Sequence, residues 1–391
     1  MSRISALIIS TALFSPLGYA AGPDVEAIAP QSSAPPWVNV AALGKSTDLN
    51  ALREVTANTS AEEAVSEVAN ADDEVVYWEF PEPEFPPPSI WPRIREGFAF
   101  PTVKSRRVSQ FERWYKKHPE YFERMITRSG LFLHYIVEEV EKRGMPTELA
   151  LLPMIESAYN PTAYSRAHAS GIWQFIPSTG KNYGLEQNWW HDERRDVVAA
   201  TEAALDYLEM LYGEFNDWQL ALASYNWGEN GVRRAIKRNK RRGKATNYNS
   251  LRMPRETRNY LPKLQAVKNI ISDPARVGLV LPDVLDRPYF TTVEADEHMD
   301  VEIAARLAEM SIEDFEILNA AYNRPVIAAD GERKILLPLD KAEAFAKNLE
   351  YHDAPLVSWQ TYALKKNESV EQVAKRFDMD ANKLRQINGI K

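Results

Sequence analysis

A single glutamate, Glu156, stands among large apolar residues in the run Ala150-Leu-Leu-Pro-Met-Ile-Glu-Ser-Ala-Tyr159. A carboxyl in such surroundings loses hydration, which raises its pKa and keeps a proton on it near neutral pH. An acid of that kind can protonate the leaving oxygen when a glycosidic bond is cleaved. The alternative is structural, because single glutamates near helix ends commonly cap the helix or form a salt bridge.

Three further polar motifs follow Glu156-Ser157 along the chain. They are Gly171-Ile-Trp-Gln-Phe175, Ala221-Leu-Ala-Ser-Tyr-Asn-Trp-Gly228 and Glu256-Thr-Arg-Asn-Tyr260. In this order and spacing the four motifs resemble the family 1 lytic transglycosylases, lysozyme-like enzymes that cut the glycan strands of peptidoglycan. The resemblance runs from about residue 145 to residue 271. One such motif alone is weak, whereas four in the same order within one segment are specific.

The resemblance implies that Glu156 is the sole catalytic carboxyl and acts first as acid and then as base. The implied reaction breaks the β-1,4 bond between N-acetylmuramic acid and N-acetylglucosamine without water and leaves a 1,6-anhydro sugar. No cofactor is implied. By the same resemblance, Ser165 and Gln174 bind the muramyl N-acetyl group, Tyr260 orients Glu156, and Tyr225 and Asn226 shape the cleft floor.

These site residues are expected to share one hydrogen-bonded network, because buried polar groups close to an acid must find partners. Trp173 occupies a position where many members of the wider family carry a smaller apolar residue, and we expect it to alter the cleft wall. For Gln174, Asn226 and Tyr260, ordinary loop or core hydrogen bonding is the alternative. Two other functions stay open, a hydrolytic lysozyme-like muramidase and a peptidoglycan-binding protein without catalysis.

The elements that position these residues are predicted to be helices. Apolar residues recur at three-, four- and seven-residue intervals between residues 105 and 274, and strand patterns are nearly missing there. One helix is expected to start near Pro146 and to end at Glu156, with Pro153 bending its last turn. Later helices are predicted over residues 195–212, 217–225, 228–238 and 255–273. We therefore predict a mainly α fold, with a lysozyme-like all-α catalytic domain over residues 89–275.

The last third of the chain contains an internal repeat. Residues 303–319 align with residues 373–388 after one insertion, and each copy combines two short amphipathic helices with a preceding strand candidate, 289–293 or 359–364. The repeats resemble LysM modules, small βααβ units that bind glycans containing N-acetylglucosamine. We expect a degenerate module over 288–349 and a second over 357–391. A strand candidate at 334–339 closes the first, whereas the second is expected to lack its last strand.

The N-terminal part is predicted to direct export rather than to fold. Residues 1–20 combine Arg3, an apolar stretch and small residues at a cleavage position, as in a secretory signal peptide. Residues 21–88 are rich in Ala and Pro and are expected to form a largely disordered tether. We expect a periplasmic protein that acts on peptidoglycan glycan strands, has no transmembrane segment once mature, and associates at most peripherally with the envelope.

Composition excludes several other functions. The chain of 391 residues has no cysteine, which excludes disulfides, thiolate catalysis and a cysteine-linked lipid anchor. Its six histidines never take helix-spaced metal-ligand positions, so no metal site is expected. A net charge of −8 and the predicted export argue against nucleic acid as a partner. Residues 233–244 carry eight basic side chains, which favours a solvated face over attraction to anionic peptides or lipid headgroups.

Overall fold

The computed structural model of the protein describes residues 6–10, 88–328, 333–365, 368–377, 379–388 and 390. The predicted tether, apart from its last residue, and most of the predicted signal peptide lie outside these residues. Among the helices of the described ranges, none combines the length and the apolar character that crossing a bilayer requires.

The first part of the described chain is helical. It contains α1 (Ile90–Glu96), α2 (Arg106–Lys117), α3 (Pro119–Ser129), α4 (Leu133–Lys142), a 3-10 turn (Thr147–Leu151) and α5 (Leu152–Glu156). Each of α2, α3 and α4 is amphipathic and turns one apolar stripe inward, as its spacing predicts. The largest wholly buried side chains of this core are Trp173, Tyr115, Tyr159, Phe122 and Phe132.

A second group of helices follows a long loop. It comprises α6 (Pro177–Asn182), α7 (Val197–Phe215), α8 (Trp218–Trp227), α9 (Glu229–Lys240) and α10 (Arg255–Ser272), with 3-10 turns at Tyr248–Ser250 and Ala275–Val277. Asp196 and Asp217 cap the N-termini of α7 and α8 with their carboxylates. The predicted helices are thus present, with ends shifted by up to three residues.

The segment before Glu156 differs from the prediction. Instead of one helix from Pro146 with a bend at Pro153, the chain forms the 3-10 turn and then α5, and Pro153 lies in the first turn of α5. Proline is tolerated there because a first-turn N–H has no partner within the helix. The consequence for the site is the one expected, since Glu156 still lies where the helix ends and a loop begins.

The first C-terminal module combines short strands with helices. Its elements are β2 (Phe290–Glu294), β3 (Met299–Asp300), α11 (Val301–Leu307), α12 (Ile312–Leu318), β4 (Val326–Ile327), β5 (Lys334–Pro338) and α13 (Leu339–Glu350). Strand β2 pairs antiparallel with β5, and β3 with β4. Phe315, Phe345 and Leu337 fill a core of its own.

The second module contains β6 (Trp359–Ala363), α14 (Val370–Arg376) and α15 (Ala381–Asn388). Strand β6 has an antiparallel partner in β1 (Ala6–Ser10), in the register Ala6 opposite Ala363. This pairing was not predicted, because residues 6–10 fall within the predicted signal peptide. Ser369 caps α14 through a capping box with Gln372.

The first module packs against the catalytic part through residues 186–195, which we call the docking loop. The backbone N–H of Asp192 donates to the carbonyl of Ala321 at 2.9 Å, and that of Asn323 donates to the carbonyl of Trp190 at 2.7 Å. The ring of Phe290 also contacts Phe132, with centroids 6.3 Å apart. Backbone pairing and ring packing therefore join the two units.

Candidate active site

Glu156 is the last residue of α5, and the backbone after it is tightly held. Ala158 and Tyr159 both have positive φ values, 53° and 55°. Residues other than glycine adopt this backbone conformation only at a cost in free energy. Tyr159 is wholly buried, and its hydroxyl donates to the carbonyl of Ala150 at 2.6 Å. Its backbone N–H donates to the carbonyl of Pro153 at 3.1 Å. These bonds fix the direction in which the Glu156 side chain leaves the helix.

Tyr260 holds the carboxyl of Glu156. Its hydroxyl, brought by α10, donates to Oε1 of Glu156 at 2.6 Å. Burial raises the pKa of Glu156 to about 7, while the Tyr260 hydrogen bond and the charge of Lys263 oppose that rise. The residue as a whole is half-buried. A carboxyl with a pKa near neutrality can both give and take a proton at physiological pH.

Lys263 is a part of the site that the sequence analysis missed. It lies one helical turn beyond Tyr260 on the same face of α10, and its Nζ donates to the carbonyl of Ile155 at 2.5 Å. Burial lowers the pKa of Lys263, while the charge of Glu156 opposes that change. The three-residue spacing from Tyr260 is the signal that could have indicated it.

Tyr225 and Trp173 meet beside the acid. The hydroxyl of Tyr225 donates to the backbone carbonyl of Trp173 at 2.9 Å, and burial first, then the charge of Glu156, raises the pKa of this phenol. The Trp173 side chain is wholly buried, and its Nε1 donates to Oγ1 of Thr201 at 2.9 Å. The expectation that Trp173 alters the cleft wall is therefore wrong, because its ring fills the core instead.

Asn226 joins two helices. Its Oδ1 accepts a hydrogen bond from Oγ1 of Thr257 at 2.8 Å, which links the end of α8 to the first turn of α10. Since α10 carries Tyr260, this bond helps to place the donor of Glu156. Its position agrees with the ordinary hydrogen bonding that was the alternative for this residue, and the residue is half-buried.

Gln174 and Ser165 organise the loop between α5 and α6. Gln174, with a φ of 53°, donates from Nε2 to the carbonyls of Gly171 at 2.9 Å and Ala163 at 3.3 Å. Oγ of Ser165 accepts from the backbone N–H of Ala169 at 3.0 Å and so closes a tight turn. Both side chains therefore form hydrogen bonds with the backbone of their own loop and stabilise its conformation.

Close backbone packing supports the same loop. Ser157 donates from Oγ to the carbonyl of Ile172 at 3.0 Å, tying the end of α5 to the second motif. Gly171 has a φ of 79°, and a Cβ there would lie 1.8 Å from the carbonyl oxygen of Arg194. Only glycine fits this position without moving the docking loop.

The predicted single network is not what the described residues form. Their hydrogen bonds make separate pairs, of which Tyr260 with Glu156 is the one that includes the acid. Tyr225 has no hydrogen bond to Glu156 among those described, but the charge of Glu156 contributes to the raised pKa of its phenol, so the two groups lie close together. The structure thus brings Glu156, Tyr260 and Tyr225 together and gives Asn226, Gln174 and Ser165 supporting positions around them.

A cluster of possible metal ligands lies elsewhere, on the docking loop. Glu186, His191 and Glu193 approach one another within 4.8 Å, but Arg333 of the first module reaches into the cluster and donates to Glu186 at 2.9 Å. Burial first and then the charge of Arg333 lower the pKa of His191 to about 4. The Arg333 guanidinium pairs with Glu186 and lies 3.9 Å from Glu193, so the cluster fits an interdomain ion pair better than a cation site.

Two protein-family models match the chain. The transglycosylase SLT domain matches residues 135–248, which include Glu156, Ser165, Gln174, Tyr225 and Asn226. The LysM-like domain of lytic transglycosylase MltD matches residues 289–354, which is the first C-terminal module. The predicted fold class, a mainly α lysozyme-like domain followed by LysM-like units, is confirmed.

Relatives of known sequence extend the match. The membrane-bound lytic murein transglycosylases D of Escherichia coli strain K12 and of Escherichia coli O6:H1 strain CFT073 are each 33% identical over 319 residues, covering 78% of this chain and 70% of the relative. A solved structure of the lytic transglycosylase Slt from Pseudomonas aeruginosa is 21% identical and covers 39% of this chain and 25% of that one, with a TM-score of 0.28. By its identity to relatives over most of their length, the chain belongs to the family of membrane-bound lytic murein transglycosylase D.

Proposed function

We propose that the chain is a peptidoglycan lytic transglycosylase that uses Glu156 as its only acid and base. It cleaves the β-1,4 bond between N-acetylmuramic acid and N-acetylglucosamine and leaves a 1,6-anhydromuramic end. Family membership supports the activity. The observation that carries the role of Glu156 is its carboxyl, held at 2.6 Å by Tyr260, with a pKa raised to about 7.

The first step is protonation of the leaving oxygen. About half of the Glu156 carboxyls carry a proton at pH 7 when the pKa is about 7. The proton passes to the bridging oxygen, the bond from that oxygen to C1 of the muramyl residue breaks, and positive charge develops at C1. The Tyr260 hydrogen bond and the Lys263 ammonium stabilise the carboxylate that this transfer leaves behind.

The second step returns the proton. The Glu156 carboxylate takes the proton of the muramyl C6 hydroxyl, and the C6 oxygen forms a bond to C1 and closes the anhydro ring. One bond to C1 breaks and another forms, and the carboxyl regains its proton, so no water is consumed. The reaction therefore needs no second carboxylate to activate water, unlike an inverting glycosidase.

The surrounding polar residues have proposed binding roles. Ser165 uses its oxygen as an acceptor within its own turn, so its hydroxyl proton can be donated to an N-acetyl carbonyl. The Gln174 amide nitrogen braces the loop, which leaves its carbonyl oxygen as an acceptor for a sugar N–H. Tyr225 and Asn226 shape the floor beneath the reacting sugar.

We further propose a periplasmic location after cleavage of residues 1–20, without a lipid anchor. The absence of cysteine from the sequence supports the second point. Association with the envelope is then peripheral, through the glycan. The basic residues of 233–244 contribute mainly a solvated surface, since Arg233 already pairs with Glu214 at 2.5 Å.

Digestion of purified sacculi tests the reaction, with mass spectrometry of the fragments. Anhydro ends are expected from the wild type, whereas reducing ends that have gained water would support a muramidase, and no fragments a binding protein. Glu156→Gln should lower the rate by at least about a thousandfold while sacculus binding persists. Glu123→Gln, an exposed glutamate on α3, is the matched control and should keep wild-type activity. Wild-type activity in Glu156→Gln would overturn the assignment.

A further inference from the structure

A cavity of about 190 Å³ lies between the catalytic part and the first C-terminal module. Thr162 and Arg195 line it from the catalytic side, and Asn319, Tyr322 and Arg324 line it from the module. The cavity is near the candidate active site, because Thr162 directly precedes Ala163, whose carbonyl accepts from the Gln174 amide. A group that fills the cavity would therefore lie beside the loop that carries Ser165 and Gln174, the proposed substrate-binding residues.

Two guanidinium groups at this cavity, those of Arg195 and Arg324, form no ion pair with an acidic side chain of the described residues. Nε of Arg195 and Nε of Arg324 are buried and have no hydrogen-bond partner among the described residues. Each arginine does bind Asn323, Arg195 through its side-chain oxygen and Arg324 through its backbone carbonyl at 3.0 Å. These neutral acceptors fix the two guanidinium groups in place without neutralising them.

The neighbouring acids are engaged elsewhere. Asp192 attracts Arg195, but its Oδ1 accepts from Nε of Arg194 at 2.9 Å and its Oδ2 from NH2 of Arg194 at 2.7 Å. Glu316 also lines the cavity, yet it forms no ion pair with either arginine in the described part of the chain. The pKa of Arg324 is lowered, first by burial and then by the charge of Arg195. Two like charges that are partly removed from water attract an anion.

We infer that this cavity binds a carboxylate of the peptide that is attached to the muramyl residue of the substrate. The inference rests on the proposed function, because that function brings a muramyl residue to the adjacent loop. A guanidinium presents its N–H donors in a planar fork that matches both oxygens of a carboxylate. Arg324 is further oriented by its stacking over the Trp189 ring, 3.7 Å from the ring centroid. The site would thus make the enzyme favour glycan strands that still carry peptides.

The test compares two substrates with the full chain. One is glycan that carries free-acid stem peptides, and the other is the same glycan after an amidase has removed the peptides. The readout is the ratio of kcat/KM on the first to kcat/KM on the second. Arg324→Gln should lower this ratio about tenfold, the effect of losing one charge-assisted hydrogen bond. Arg113→Gln, an exposed arginine on α2, is the matched control and should keep the wild-type ratio.

Several outcomes decide the inference. An unchanged ratio in Arg324→Gln would overturn it. In Glu316→Gln the kcat/KM ratio should stay the same or rise, because a carboxylate that competes for the arginines is removed. A fall equal to that of Arg324→Gln would mean that the arginines pair with Glu316 and not with the substrate. If wild type releases no anhydro fragments from either substrate, the proposed function itself has failed, which is a separate result.

If Arg324→Gln does not fold, the same inference can be tested by changing the substrate and keeping the wild-type protein. Amidation of the peptide carboxylates should lower the wild-type ratio by a similar factor. Inorganic phosphate distinguishes a general anion site: if phosphate raises the Tm of the wild type while amidation leaves the ratio unchanged, the cavity takes free anions and the peptide assignment is wrong.

Discussion

The fold gives two nearby glutamates very different burial and hydrogen-bond partners. They are Glu148, in the 3-10 turn, and Glu156, at the end of α5. Glu148 is wholly buried and accepts from Nζ of Lys268 at 2.5 Å and from the backbone N–H groups of Phe100 at 2.8 Å and Ala99 at 3.0 Å. Glu156 is half-buried and receives one neutral donor, the Tyr260 hydroxyl, while the nearby Lys263 donates to a backbone carbonyl instead.

The difference lies in how completely each carboxylate is compensated. Three donors, one of them charged, satisfy Glu148, so it links α10 to the chain after α1 as a structural ion pair. One hydrogen bond does not offset the burial of Glu156, so its pKa rises to about 7. The proposed acid therefore differs from Glu148 in its incomplete pairing rather than in burial alone.

Glu148→Gln sharpens this comparison through stability. The variant leaves the Lys268 ammonium buried without its anion, which should lower the free energy of unfolding by about 3 kcal/mol. Urea unfolding at pH 7 measures this effect. Glu156→Gln is the matched substitution and should not lower stability at pH 7, because it removes a carboxylate whose charged form is disfavoured by burial. If both variants lose the same stability, the distinction between a structural and a reactive glutamate fails.

The pH dependence of stability probes Glu156 alone. Because its pKa rises from 4.5 to about 7 on folding, the folded state holds this proton more tightly than the unfolded chain. The resulting stabilisation is fully present below about pH 4.5 and is lost as the pH rises through about 7. Between pH 4 and pH 8 the wild type should lose about 3 kcal/mol relative to Glu156→Gln.

Urea unfolding at several pH values measures that difference. For the control Glu123→Gln, the difference in unfolding free energy from the wild type should not change with pH. A constant difference between the wild type and Glu156→Gln across this range would contradict the raised pKa.

Tyr260→Phe should give the smallest of these effects. It removes the hydroxyl that favours the carboxylate, so the pKa of Glu156 should rise further and the alkaline limb of kcat/KM should move to higher pH. The loss of carboxylate stabilisation after proton transfer should lower kcat about tenfold. Tyr248→Phe removes another buried hydroxyl, which donates to the Thr257 carbonyl at 2.6 Å. In this control the alkaline limb of the kcat/KM profile should stay at the wild-type pH. An equal shift of the limb in both variants would exclude a specific role of Tyr260.

Local patterns in the sequence predicted much of the fold and led to the hypothesis that Glu156 is the acid. The apolar run before Glu156 and the spacing of the helices carry that information, and the match to relatives confirms the fold class and the family. The site residues and domain limits stay predictions, although Tyr260 does contact Glu156 as expected.

Side-chain direction could not be predicted in the same way. Trp173 and Gln174 are neighbours in one motif, yet the first enters the core and the second braces a loop at a φ of 53°. Asn226 pairs with Thr257, and Arg333 reaches His191 across 142 residues of sequence. Such contacts depend on tertiary packing, which no local period of apolar residues encodes.

The separation of 104 residues between Tyr260 and Glu156 has a consequence for the timing of activity. A chain that emerges from its N-terminus exposes the acid long before α10 supplies the phenol and the lysine that set its proton affinity. Chemical competence is thus acquired late in biosynthesis, after the last catalytic helix has docked. A growing or clipped chain that ends before Arg255 would carry the acid but not the partners that tune it.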